Sequence, residues 1–280
     1  MSGVPKRVGV IGGGRMGAGI AQVFASAGAV VTVVEPEAAA ARERIATGLR
    51  RAAERGKLAE DPAAVLERVE LSGELPGDAD LVIEAVPEDA SLKVQVLASA
   101  ESAVSEGAVL ATNTSSLSIS GLAEGLRRPE RFVGMHFFNP VPASSLVEVV
   151  VGPQTTGAVR DAAAGWAGAL GKTAIVVRDS PGFATSRLGV LLGLEAIRML
   201  EEGVAGAADI DRAMELGYRH PMGPLRSTDL VGLDVRLAIA EHLHRELGDR
   251  FAPPRLLRDK VARGELGRKT GQGFYTWETT

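Results

Sequence analysis

Histidine side chains are few in this chain, because its 280 residues include four histidines and no cysteine. His242 and His244 are two positions apart in a helical pattern, so they face different directions and make a poor metal-binding pair. His220 lies in a turn-rich segment, where a structural or subunit-contact role is the leading interpretation. His136 lies near the end of an apolar strand pattern and is the candidate for general acid–base chemistry.

The candidate partner of His136 is Glu148, a lone acid among aliphatic residues in the next strand pattern. A carboxylate in such a strand needs a partner when it is buried. A short connection between the two strands could bring it to the imidazole, where it would orient the ring and stabilise its charged form. A His–Glu pair that only joins two strands is an equally good interpretation.

Small polar residues follow another strand pattern, in the sequence Thr-Asn-Thr-Ser-Ser over positions 112–116. The carboxyl edge of an open α/β sheet is where such folds bind ligands. Ser115 could therefore hydrogen-bond a substrate oxygen while His136 exchanges its proton. Capping of the following helix is the alternative. A serine hydrolase is disfavoured because the chain has no G-x-S-x-G nucleophile elbow here.

A glycine-rich turn near the amino terminus matches the G-x-G-x-x-G pattern through Gly12, Gly14 and Gly17, with Arg15 and Met16 between the last two. A strand pattern precedes it and an apolar helical pattern follows it, which is the context that dinucleotide binding requires. The glycines allow a tight turn, a close approach of pyrophosphate and close helix packing. Another α/β glycine turn, or one that binds FAD, is the alternative.

Glu35 ends the second strand pattern, 18 residues after Gly17. A carboxylate at this place accepts hydrogen bonds from ribose hydroxyls and repels a 2′-phosphate. The sequence therefore predicts NAD rather than NADP.

The elements that would position these residues form a Rossmann-type α/β fold: a doubly wound, mostly parallel sheet followed by an all-helical C-terminal domain. We expect a nucleotide-binding domain over residues 1–179, with a helical-pair insertion near 37–68, and a helical substrate and dimerisation domain over 180–280. Strand patterns cover 8–11, 30–34, 81–84, 109–111, 132–134, 146–151 and 173–177. Helical patterns in the second domain cover 183–202, 208–216, 228–247 and 253–264.

Composition excludes several classes of protein. With 31 basic and 35 acidic residues, the net charge of −4 leaves no basic excess for nucleic acid binding. Without cysteine there is no disulfide, thiolate nucleophile or cysteine zinc site, and no metal is expected. No targeting segment or membrane-spanning apolar run is visible, so a cytoplasmic location is expected.

With these pieces in place, the chain closely resembles the 3-hydroxyacyl-CoA dehydrogenase family, in particular its single-function bacterial members that resemble 3-hydroxybutyryl-CoA dehydrogenases. The resemblance extends over nearly the whole length. Its markers are ordered motifs: Gly12–Gly17, Glu84–Glu88 with Lys93, 113–117, 136–140, 147–149, 179–183, 220–224 and 269–275.

The resemblance implies a reaction and roles for residues. The reaction is NAD-dependent interconversion of (3S)-3-hydroxyacyl-CoA and 3-oxoacyl-CoA. His136 would be its base and Glu148 the acid that orients the base, while Ser115 would bind the substrate hydroxyl. Further positions match residues that line the nucleotide or substrate site: Ala85, Val86, Glu88, Lys93 and Asn113.

One position departs from the family pattern. Many members have asparagine four residues after the glycine of the Pro-Gly-Phe motif, where this chain has Ser186. The serine side chain also offers a donor and an acceptor for this contact with substrate, but it is shorter. The coenzyme A phosphates also need positive charge, for which Arg51, Arg55 and Lys57 are candidates, although a solvated helix face is an equally good interpretation of these residues.

Two other functions fit the same scaffold. A dehydrogenase of a free 3-hydroxy acid or sugar acid typically uses a lysine base on the helical domain, but residues 183–200 contain no lysine. A non-catalytic NAD-binding structural or sensing protein would not need Ser115, His136 and Glu148. The aliphatic segments 189–194 and 230–239 also predict a homodimer formed through the helical domain.

Overall fold

The computed structural model describes residues 3–278. The chain divides into two compact units, one extending to Ser180 and one beginning at Pro181. Each unit has its own hydrophobic core. Of the described helices, none combines the length and the apolar character needed to cross a membrane.

The first unit is built on an eight-stranded sheet in the order β3-β2-β1-β4-β5-β6-β7-β8. All neighbouring strands are parallel except the antiparallel pair β6 and β7, and the predicted doubly wound, mostly parallel fold is confirmed. The strands are β1 (Arg7–Ile11), β2 (Val30–Val34), β3 (Val69–Ser72), β4 (Leu81–Glu84), β5 (Val109–Thr112), β6 (Phe132–Phe137), β7 (Leu146–Val151) and β8 (Thr173–Arg178).

The described residues of this unit also form six α-helices. They are α1 (Arg15–Ser26), α2 (Ala38–Glu54), α3 (Pro62–Leu66), α4 (Ala90–Ala103), α5 (Ile119–Ala123) and α6 (Gly157–Ala169). Helices α2 and α3 form the helical pair expected near 37–68. Strand β3 was not predicted, because its sequence Val-Glu-Leu-Ser has only two apolar residues and pairs on one side alone.

The core of the first unit lies between the central strands and their helices. The central strands β4, β5 and β6 are buried along their whole length, so both faces of the sheet are covered there. Phe24 of α1 packs edge-to-face on Phe137 of β6, with ring centroids 6.5 Å apart. The packing holds the carboxyl end of β6 in a fixed position above the helix layer.

The second unit contains five α-helices among its described residues: α7 (Thr185–Glu201), α8 (Ala207–Gly217), α9 (Pro224–Val231), α10 (Leu233–Leu247) and α11 (Arg255–Ala262). The expectation of one helix over 228–247 is wrong. Gly232 has φ +104°, a conformation that interrupts the helical pattern between α9 and α10. The helical content of this unit is confirmed.

Candidate active site

The glycine turn between β1 and α1 is shaped by close contacts with backbone atoms. Gly12 has φ +97°, and a Cβ atom there would lie 2.7 Å from the carbonyl oxygen of Ala85. A Cβ atom at Gly17 would overlap the carbonyl oxygen of Gly12. Both positions therefore require glycine, and the turn brings the start of α1 close to the ends of β1 and β4.

The outer side of this turn is open. A Cβ atom at Gly14 would meet no atom within 4 Å, and no described side chain caps α1 at this residue. Arg15 and Met16 are the first two residues of the helix. Their N–H groups lack intrahelical acceptors and lie at the positive end of the helix dipole. The turn fits the pyrophosphate of a dinucleotide.

Glu35 follows β2 directly and bonds to the same turn. Its Oε2 accepts a hydrogen bond of 2.6 Å from the N–H of Gly13, and its Oε1 accepts one of 3.2 Å from the N–H of Glu37. Arg44 donates to the carbonyl oxygen of Gly13 at 3.2 Å. The carboxylate is thus held beside the turn by backbone donors, and a guanidinium group lies close by.

His136 and Glu148 are direct partners in the antiparallel pair β6–β7. The Nδ1 atom of His136 lies 2.7 Å from Oε2 of Glu148, and the carboxylate side chain is fully buried. A carboxylate only accepts hydrogen bonds, so Nδ1 carries the proton and donates it. The acid therefore fixes the tautomer of the imidazole, with the proton on Nδ1.

Asn113 follows β5 and holds the end of β6. Its Oδ1 accepts a hydrogen bond of 2.8 Å from the N–H of Phe137, the residue after His136. The side chain that the sequence placed at a ligand site is thus also a structural tie between two strands. Its contact with cofactor or substrate stays a prediction.

Ser115 lies in a turn that is gathered around one carboxylate oxygen of Glu88. The donors to Oε1 are Thr114 Oγ1 at 2.6 Å, Ser115 N at 2.9 Å, Ser116 Oγ at 3.1 Å, Ser116 N at 3.2 Å and Ser115 Oγ at 3.3 Å. Burial raises the pKa of Glu88, but these donors and the ammonium of Lys93 outweigh it and leave the pKa below its ordinary value. Glu88 is therefore an acceptor for the turn.

Lys93 is buried, with 1% of its side chain exposed. Its ammonium donates to Glu84 Oε1 at 2.7 Å and to the carbonyl oxygen of Val86 at 3.2 Å, and it lies 3.3 Å from Glu88 Oε2. The structure thus gives Lys93 partners within the protein, while a contact with cofactor stays a prediction.

Ala85 follows β4, and its N–H donates to the carbonyl oxygen of Ile11 at 2.8 Å.

A groove of about 1180 Å³ runs along α1 and α2. Arg51, Arg55 and Lys57 line it, together with Arg15 and Arg44. Sequence reasoning missed two cations of this groove, Arg44 and Lys172. Lys172 donates at 2.7 Å to the carbonyl oxygen of Val141, in the connection between β6 and β7. The one lining carboxylate, Glu43, is bonded to Arg50. Positive charge therefore collects here although the whole chain is acidic.

The remaining predicted residues lie in the second unit. Ser186 is the second residue of α7, and its contact with substrate stays a prediction. His244 is partly exposed, and its Nε2 lies 3.0 Å from Oδ1 of Asp249. Within residues 3–278 no group of three histidine, aspartate or glutamate residues is arranged to hold a metal ion.

Two family models match the chain. Residues 7–180 match the NAD-binding domain of 3-hydroxyacyl-CoA dehydrogenase, and residues 182–277 match its C-terminal domain. Together they account for both compact units.

Similar proteins match over almost their full length. A 3-hydroxybutyryl-CoA dehydrogenase of Mycobacterium tuberculosis is 44% identical over 99% of this chain and 100% of its own. A probable 3-hydroxybutyryl-CoA dehydrogenase of Deinococcus radiodurans is 43% identical over 97% of this chain and 100% of its own. The crystal structure of (S)-3-hydroxybutyryl-CoA dehydrogenase PaaH1 from Ralstonia eutropha is 41% identical, with a TM-score of 0.92 over 98% of this chain and 100% of that one.

Proposed function

Because the chain belongs to the 3-hydroxyacyl-CoA dehydrogenase family, whose NAD-binding domain it contains, we propose that it is an NAD-dependent oxidoreductase interconverting (3S)-3-hydroxyacyl-CoA and 3-oxoacyl-CoA. Short acyl chains, 3-hydroxybutyryl above all, are the proposed substrates, in line with the names of its relatives. The observation that carries the proposal is the buried hydrogen bond between His136 and Glu148 at the carboxyl end of β6.

His136 is the proposed general base of the oxidation. The 3-hydroxyl O–H bond breaks and its proton moves to Nε2 of His136, since Nδ1 is bonded to Glu148. The imidazolium formed in this step is balanced by the carboxylate, which is already in place and needs no rearrangement. In the reduction His136 returns the proton as a general acid.

Ser115 is proposed to hold the reacting oxygen. Its hydroxyl is oriented by Glu88 and lies in the turn that follows β5, the strand next to β6. When substrate binds, the Ser115 proton would turn from Oε1 of Glu88, which keeps its four other donors, to the reacting oxygen. That hydrogen bond would stabilise the charge that develops on the oxygen as its proton leaves.

The glycine turn, Glu35 and the first turn of α1 are the groups that would hold NAD. When bound, NAD supplies the acceptor for the hydride that leaves C3. Gly12, Gly14 and Gly17 let its pyrophosphate reach the helix N-terminus, and Glu35 reads its ribose.

The cationic groove is proposed to receive the phosphates of coenzyme A. Arg51, Arg55 and Lys57 are exposed, and none has a carboxylate partner among the described residues. Such cations attract a multiply charged anion, and this attraction weakens as the salt concentration rises.

Turnover tests the reaction. The protein mixed with acetoacetyl-CoA and NADH should consume NADH, and His136→Gln should lower kcat about 1,000-fold while NADH affinity changes less than about twofold. The matched control is His244→Gln, which changes a partly exposed histidine of the other unit and should leave kcat unchanged. Turnover of free 3-hydroxy or sugar acids in place of the thioester would favour that alternative, and NADH binding without any turnover would favour a non-catalytic protein.

The groove is tested with neighbouring arginines. Arg51→Ala should raise the KM for acetoacetyl-CoA about tenfold, because it removes a phosphate contact. It should not change the KM for acetoacetyl-N-acetylcysteamine, which has no nucleotide. Arg42→Ala is the control, because Arg42 is exposed on the same helix and does not line the groove. Equal effects of the two variants would contradict the assignment.

A homodimer formed through the second unit and a cytoplasmic location complete the proposal. Leu188 on α7 is 68% exposed, and Leu191, Val231 and Val235 are exposed apolar residues of the same unit. Apolar surface of this kind favours association. Light scattering should give a dimer, and Leu188→Glu should give a monomer.

A further inference from the structure

We infer that Glu84 is a positioning residue for Ser115, acting through Lys93 and Glu88. The inference rests on the proposed function of Ser115, and Glu84 itself is not proposed to touch substrate. The carboxylate of Glu84 lies at the end of β4, while Ser115 follows the neighbouring strand β5. A continuous set of hydrogen bonds and ion pairs connects them.

The first link is a buried ion pair. Glu84 is fully buried and Lys93 has 1% of its side chain exposed, with Nζ and Oε1 2.7 Å apart. Oε1 also accepts from the N–H of Val86 at 2.7 Å, and Oε2 accepts from Thr112 Oγ1 at 2.6 Å. Both carboxylate oxygens are therefore fixed.

The place of Lys93 is unfavourable in itself. It is the fourth residue of α4, near the positive end of the helix dipole, and its charge is buried. Burying an ion pair stabilises a fold little, because desolvation offsets the attraction. The arrangement is better explained by what Lys93 holds than by a gain in stability.

The second link is Glu88, which Lys93 approaches on one side only. Nζ lies 3.3 Å from Oε2 of Glu88, while Oε1 of the same carboxylate accepts from the turn that contains Ser115. Lys93 thus sets the orientation of Glu88, and Glu88 sets the position of the Ser115 hydroxyl. Without Glu84 the ammonium would have a single carboxylate partner and would move toward it, turning Oε1 away from the turn.

Kinetics of Glu84→Gln test this linkage. The variant should lower kcat for acetoacetyl-CoA reduction about tenfold or more, because small displacements of a positioned group are costly, and should leave the NADH dissociation constant within about twofold. In a Ser115→Ala background the same change should lower kcat less than about twofold, because Glu84 acts through the missing hydroxyl.

Glu101→Gln is the matched control. Glu101 lies on α4, the helix that contains Lys93, and has 2% of its side chain exposed. Its carboxylate accepts from the N–H groups of Arg127 and Arg128 at 2.9 and 2.7 Å. Its loss should lower the melting temperature with kcat unchanged. Should Glu84→Gln fail to fold, Thr112→Val removes only the hydroxyl that donates to Glu84 and should reproduce the kinetic pattern at smaller size.

Two results would overturn the inference. One is a lowered melting temperature of Glu84→Gln with unchanged kcat, which is the behaviour of a merely structural residue. The other is an equal loss of kcat with and without Ser115. An unmodified protein without activity on acetoacetyl-CoA would instead overturn the proposed function.

Discussion

His136 and Glu148 are directly opposite each other on β6 and β7, and Oε2 of the buried carboxylate lies 2.7 Å from Nδ1 of the imidazole. Antiparallel pairing places both side chains on the same face of the sheet. The tautomer of the proposed base is therefore determined by the strand pairing and not by a mobile loop.

Glu148→Gln keeps the shape of this pair and removes its charge. We expect kcat for acetoacetyl-CoA reduction to fall about 100-fold, because an amide cannot balance the imidazolium. The NADH dissociation constant should stay within about twofold, since three strands separate β7 from β1, the strand that the glycine turn follows. Steady-state kinetics and NADH fluorescence titration measure the two quantities, and a kcat within threefold of the unmodified protein would show that the pair only joins two strands.

The strand pairing also shows what the sequence could determine. Apolar runs and a glycine turn in the right order were sufficient for the doubly wound sheet, because parallel strands buried on both faces have a simple pattern. The proximity of His136 and Glu148 followed from a short connection between two strands. The register that makes them exact partners depends on the conformation of that connection, which local patterns do not describe.

Other features were beyond local patterns. Strand β3 has two polar residues among four and gains its structure only by pairing with β2. The separation of α9 from α10 depends on one glycine inside an otherwise helical pattern. The buried contact of Lys93 with Glu84 joins side chains nine residues apart across a turn, and sequence spacing gives no sign of it.

Glu35→Ala tests whether Glu35 selects NAD over NADP by its contact with the ribose. The variant should lower kcat/KM with NAD about tenfold and raise it with NADP, because the repulsion of a 2′-phosphate is removed while Arg44 remains near the turn. Glu37→Ala is the control, since Glu37 is exposed and its side chain forms no cap bond to α2. The ratio of kcat/KM for the two cofactors is the measurement, and an unchanged ratio in Glu35→Ala would remove this residue from cofactor selection.

Two glycines of the same turn should respond differently to alanine. In Gly17→Ala the new methyl group overlaps the carbonyl oxygen of Gly12, so we expect the free energy of unfolding to fall by about 3 kcal/mol. In Gly14→Ala the methyl group meets no protein atom within 4 Å, so stability should be retained while NADH affinity falls. Urea unfolding and NADH titration separate the two effects, and an equal loss of stability in both variants would contradict this account of the turn.

Because of Glu101, the stability of the first unit should decrease at acid pH. Burial raises its pKa, but hydrogen bonds from the N–H groups of Arg127 and Arg128, with the side chain of Arg127, leave it below the ordinary 4.5. Because the unfolded chain takes up this proton at a higher pH than the folded chain, the stabilisation is complete above about pH 4.5 and is lost as pH falls through the folded-state pKa.

Glu101→Gln removes this dependence. At pH 7 we expect its free energy of unfolding to be about 2 kcal/mol lower than that of the unmodified protein, because buried N–H groups lose an anionic acceptor. The difference should shrink as pH falls below the ordinary pKa, since the unmodified carboxyl group then becomes neutral as well. Urea unfolding at steps between pH 7 and pH 3 measures it, with Glu124→Gln as an exposed control that should show no difference. A difference that stays constant over this range would show that the charge of Glu101 adds nothing to stability.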